Sequence, residues 1–111
     1  MKFLVRAESR GRIRVHADIR RMSLAEADIL EYYMKAVPGV KNVKVYDRTC
    51  DTVINYTCSR ETVTEALSLF AFEDENARML VPEHTSRASD RDYENRLINT
   101  ILFRYMRMFL L

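Results

Sequence analysis

Lys2–Ala17 reads KFLVRAESRGRIRVHA. Odd positions carry Phe3, Val5, Ala7, Gly11, Ile13, Val15 and Ala17, and even positions carry Arg6, Glu8, Arg10, Arg12, Arg14 and His16, with Leu4 as the exception. A period of two is the signature of a half-buried strand, because successive side chains leave a strand on opposite faces. One face is apolar and the other strongly basic. The run is long enough for a single long strand or for a hairpin pinched near Ser9–Gly11, and both readings stay open here. The rest of the chain has to supply what covers the apolar face.

Downstream of the polar connection Asp18–Met22, Ser23 is a good helix N-cap, with Glu26 placed to complete a capping box. The helix is expected to run to about Ala36. Leu24, Ala27, Leu30, Tyr33, Met34 and Val37 recur at spacings of three and four, the stripe of a helix lying on a sheet. Pro38–Gly39 ends it and turns the chain. Val40–Tyr46 alternates again, Asp47–Asp51 is a turn, and Thr52–Thr57 is a strand rich in β-branched residues, so the pair reads as a hairpin. The buried face of that last strand is ambiguous, because Val53 and Ile54 are adjacent. Ser59 caps a second helix with the stripe Val63, Ala66, Leu67 and Phe70. Met79–Val81 is a short apolar run fit for an edge strand stopped by Pro82. Ser89 starts a third, amphipathic helix with Tyr93, Leu97, Ile101, Tyr105 and Phe109 on one side.

The order strand, helix, strand, strand, helix, short strand is that of an α+β, ferredoxin-like βαββαβ sandwich with an appended C-terminal amphipathic helix. The expected division is 1–83 for the domain, 84–88 for a linker, and 89–111 for a helix that packs on the domain or leads toward a membrane segment. A chain of 111 residues is one small domain. The net charge of +2 does not mark a nucleic-acid binder, and nucleic acid is not an expected partner. The distribution of charge is more telling. Lys2, Arg6, Arg10, Arg12, Arg14, Arg20 and Arg21 face only Glu8 and Asp18 within 1–21, whereas 59–94 holds nine acids. The molecule is expected to be polarised. Its N-terminus lacks the apolar run of a signal peptide, and a cytoplasmic location is the default.

Chemistry-bearing residues are few. Cys50 and Cys58 are eight residues apart at the two ends of one strand, roughly 26 Å if it is continuous, which fits neither a shared ion nor a disulfide. No metal site is assigned, and the weak candidates are His16, Met22 and Cys58. No nucleophile elbow or glycine-rich phosphate cradle is present, so no catalytic residue is assigned and the segment by itself is not expected to be an enzyme. The strongest interaction candidates are Arg6, Arg10, Arg12 and Arg14, a row able to meet phosphates, anionic lipid or an acidic protein surface. Arg104 and Arg107 on the last helix join them.

Three segments carry a family resemblance: GRIRVHAD at Gly11–Asp18, LAEADILEYYMKAVPGVKNVKVYDRT at Leu24–Thr49, and VINY at Val53–Tyr56. The chain resembles the N-terminal heavy-metal-associated-like domain of bacterial heavy-metal-translocating P-type ATPases, in the subgroup that lacks the Cys-x-x-Cys motif. The Pro38-Gly39-Val40 turn is its most typical feature, and YENRLINTILFRYMR at Tyr93–Arg107 looks like the approach to a first membrane helix. The metal-binding form of the family carries its cysteines in the loop after the first strand. Here that loop, Asp18–Ser23, reads DIRRMS. The resemblance therefore implies a regulatory or docking domain on the cytoplasmic side of the cell membrane. No cofactor is expected in this segment, while ATP, Mg and a transported heavy metal belong to the parent. The implied partners are other domains of that transporter or an anionic membrane surface. Two other readings are a free-standing interaction module, dimeric through 93–111, and an unconventional metal-binding domain.

Overall fold

The computed structural model describes residues 1–87. The expected helix over 89–111, its Arg104 and Arg107, and the pairing surface 93–111 lie outside the described residues. The described part is an α+β domain with three helices on a four-stranded antiparallel sheet. Strands β1 (Phe3–Ser9) and β2 (Arg12–Ala17) come first, followed by α1 (Leu24–Lys35), β3 (Val40–Tyr46), β4 (Asp51–Tyr56), α2 (Arg60–Leu69) and α3 (Glu75–Met79). The spatial strand order is β1-β2-β4-β3, with every neighbouring pair antiparallel.

The opening stretch is thus a hairpin, not one long strand. Gly11 makes its turn at φ +75, a conformation that costs an L side chain energy and glycine little. The period-two reading of β2 holds: Ile13, Val15 and Ala17 are buried against the helices, and Arg12 and Arg14 are exposed. It fails in β1. The register slips between Val5 and Ala7, so that Val5 faces Val15 but Ala7 faces Arg14. The extra residue is Arg6, and such a bulge reverses which side chains face the helices. Ala7 therefore joins the basic face. Glu8 goes to the helix side and pairs there with Arg60 of α2.

Helix α1 starts as the sequence dictates. The Ser23 side chain accepts from Glu26 N at 3.1 Å, and the Glu26 carboxylate accepts from Ser23 N at 2.9 Å. Its Ala27, Leu30 and Met34 enter the core. Val63, Leu67 and Phe70 do the same for α2. Phe70 is the hub of an aromatic cluster, with ring centroids 4.9 Å from Tyr33, 5.0 Å from Phe72 and 6.5 Å from Phe3. In β4 both ambiguous residues are covered. Ile54 points into the core between Ile13 and Val43, while Val53 lies on the other face between Arg14 and Lys44. Beside them, the Thr52 hydroxyl is fully buried without a hydrogen-bond partner.

Two expectations change. Met79–Val81 is not an edge strand: Asp74 caps α3, and the chain leaves it in turns closed by Leu80 N to Ala77 O and Val81 N to Arg78 O. The sheet edge beside β2 is occupied by β1 instead. Of the segment 84–88, expected as a linker, Thr85 and Arg87 are bonded to the domain. Thr85 Oγ1 donates to Asp28 Oδ2 at 2.9 Å. Arg87 Nη1 reaches Asp28 Oδ1 at 3.0 Å and Glu31 Oε1 at 3.2 Å, and its Nη2 donates to Val45 O on β3 at 3.1 Å. One guanidinium thus ties α1 to the edge strand, closing over a carboxylate that is 0% exposed.

Candidate functional site: the outer face of the sheet

With the described helices on one face, no described element covers the other, and its residues fall into three cross-strand rows read from the register. The first is Leu4, His16, Asp51 and Tyr46; the second is Ala7 with the bulged Arg6, then Arg14, Val53 and Lys44; the third is Ser9, Arg12, Asn55 and Asn42. The arginine row of β2 is therefore joined by Lys44 from β3 and, through the bulge, by Arg6 from β1. Arg10 sits at the tip of the first hairpin.

Asp51 is the acid of this face and is buried beneath the cations. Arg14 Nε donates to its Oδ2 at 3.0 Å, and Arg14 Nη2 lies at the same distance. His16 Nδ1 is 2.8 Å from Oδ1, and Arg6 Nε is 3.8 Å from it. A carboxylate only accepts, so the His16 tautomer with the proton on Nδ1 fits the pair. Burial by itself raises the Asp51 carboxyl. The bonds from His16 and Arg14, with the charges of Arg14 and Arg6, outweigh it and hold the group below its ordinary value. The Arg14 guanidinium also lies 5.6 Å from the Tyr46 ring centre, and Lys44 Nζ lies 5.1 Å from it on the same face. Among the described residues no ion pair engages Arg10, Arg12 or Lys44.

The depressed Asp51 carboxyl has a testable pH consequence. Because the folded form binds this proton less readily than the unfolded chain, the group stabilises the fold above the usual carboxylate range. That stabilisation disappears as pH falls from about 4 through the lower folded value. Asp51→Asn is expected to cost about 1–3 kcal/mol at neutral pH, because it removes the charge and leaves one acceptor oxygen for the two donors Arg14 and His16. In urea titrations the gap between the two proteins should close on acidification below about pH 4. A gap constant across that range would rule the pairing out as a source of stability.

The weak metal candidates are not brought together. His16 is bonded to Asp51. Met22 is buried in the core. Cys58 lies beyond the far end of β4, against Gly39. His16 faces Asp51 at the start of β4, while Tyr56 at its end meets Gly11, so His16 and Cys58 are on the order of 20 Å apart along the sheet. Cys50, the turn residue at φ 60, is buried, and burial pushes its thiol up, with Asp51, Asp47 and Glu26 acting in the same direction. Among the described residues no three His, Cys, Asp or Glu side chains converge on a common point. No described helix is long and apolar enough to cross a membrane.

Sequence reasoning named Arg6, Arg10, Arg12 and Arg14 as one row by their alternation; Arg6, Arg12 and Arg14 lie on the outer face, and Arg10 is at the hairpin tip. It missed Asp51 as their partner, because a turn aspartate reads as solvated until the sheet register places it beside His16. It also missed Lys44 and Tyr46, whose membership of the face depends on β3 and β4 pairing. Protein-family models, curated proteins and solved structures were each compared with the chain, and none matches it.

Proposed function

We propose that the chain is a non-catalytic docking domain that regulates a larger transport protein, by engaging an anionic surface with the open face of its sheet. The single observation carrying this reading is that face: exposed Arg6, Arg12, Arg14 and Lys44 over one buried, already neutralised Asp51. A domain that folds only to bury its core has no need for three strands to converge on one sign of charge.

The heavy-metal-associated-like origin is part of the proposal. The succession β2-α1-β3-β4-α2, with β4 lying between β2 and β3, supports a ferredoxin-like frame. In this chain β1 supplies the edge strand that a segment after α2 would otherwise provide. The parent would then be a cation-translocating P-type ATPase using ATP and Mg. The loop at Asp18–Ser23, with a buried Met22 and no cysteine, favours docking over metal carriage. Deleting residues 1–88 from the full-length parent is expected to shift its ATPase activity and transport. Activity and regulation identical to the intact protein would defeat the proposal.

A further inference from the structure

We infer that the anionic surface this face engages is a phospholipid membrane, an inference that rests on the docking reading and names its partner. Protein–protein interfaces put apolar side chains at the centre, depleted in charge, and polar groups at the rim. This face is arranged the opposite way. Its middle strands present Arg12, Arg14 and the His16–Asp51 pair, and Val53 is covered beneath them. Its exposed apolar surface is at the edges: Leu4, 47% exposed, on β1, and Tyr46, 37% exposed, on β3.

Leu4 and Tyr46 end the same cross-strand row, Leu4–His16–Asp51–Tyr46, and three strand spacings place them about 15 Å apart. A bilayer interface accepts this pattern. Basic side chains meet lipid phosphates, while a leucine and an amphipathic tyrosine enter the boundary beside them. The cations are spread over β1, β2 and β3: Arg12 and Arg14 share a shallow hollow with Ala7 and Ser9, while Arg6 and Lys44 lie outside it. That suits a laterally uniform layer of phosphate better than a single ligand. Asp51 keeps the arrangement in place: it fixes Arg14 against Tyr46 and neutralises part of the charge where the cations crowd most closely.

The test uses residues 1–111 with phosphatidylcholine vesicles, with and without phosphatidylglycerol. Co-sedimentation is expected only with the anionic vesicles. It should weaken as salt rises from about 0.05 to about 0.3 M, over which screening shortens the reach of surface charge. The double variant R12E/K44E should partition at least about tenfold more weakly, since each basic residue near the surface contributes about a factor of five. R12Q/K44Q, which adds no new acid, should lie between, and Leu4→Ser should weaken binding without changing its salt dependence. Circular dichroism of each variant checks that the fold is retained. Equal binding to neutral vesicles, binding undiminished in R12E/K44E, or capture by an acidic polypeptide with none by vesicles would overturn the inference. If deletion of 1–88 alters the parent while vesicles are ignored, the docking reading stands with another partner. If vesicles bind while deletion changes nothing, membrane binding stands and the regulatory role falls.

Discussion

Gly39→Ala is expected to destabilise the domain by about 2–5 kcal/mol, summed from a left-handed backbone penalty and overpacking of a filled contact. The helix α1 hands over to β3 through a turn closed by Val40 N to Val37 O at 3.1 Å, with Pro38 and Gly39 at its corner. Pro38 sets its own φ without strain, and Gly39 stands at φ +89, where an L side chain is unfavourable. A Cβ there would lie 2.4 Å from Cys58 Cβ and 3.1 Å from Cys58 Sγ. Neither side yields easily, because the same crossing is held by Thr57 N and Thr57 Oγ1, both donating to Gly39 O. For a domain of this size the loss is a large share of total stability. Urea unfolding of Gly39→Ala alone and together with Cys58→Gly separates the two causes. The second change should return part of the steric cost and none of the φ cost. A loss under about 1 kcal/mol for Gly39→Ala would show that the turn relaxes freely.

The second large effect is expected at Arg87. Replacing it with Met should cost about 3–5 kcal/mol, the usual penalty for removing one member of a buried ion pair. Asp28 is fully buried, and Arg87 bonds it together with Glu31 and the edge carbonyl of Val45. The hydrocarbon stem of Met replaces most of the packing, so the loss reads the charge and its bonds. Arg87→Lys keeps the charge without the fork and should fall between the two. Ending the chain at residue 84 should match or exceed the Met variant, since it also removes Thr85. Hydrogen exchange on β3 and α1 reports the same event locally. A truncated chain as stable as the longer one would restore 84–88 to the status of a linker.

Much of the fold could be read along the chain. The alternation of Arg12–Ala17 gave β2 its buried and basic faces, because a strand's side chains alternate whatever lies beside it. Ser23 with Glu26, and Ser59, marked the starts of α1 and α2, since capping is a contact between residues three apart. The Pro38–Gly39 corner was equally local. Where the reading failed, the deciding partner was distant. Met79–Val81 was too short for its apolar character to separate a strand from the end of a capped helical turn. Thr85 and Arg87 looked like linker residues because Asp28 and Glu31, which bind them, lie more than fifty positions away.

The basic face divides along the same line. By itself the sequence determined that Arg12 and Arg14 share a face and that the following loop carries no thiol. Only the tertiary structure decided that the bulge at Arg6 brings Ala7 onto that face while Glu8 leaves it for Arg60, that Asp51 is the buried counter-charge, and that Lys44 and Tyr46 complete it. The reason is physical: side-chain direction within one strand follows from local backbone geometry, whereas register, bulges and charge pairing are set by which strand lies alongside.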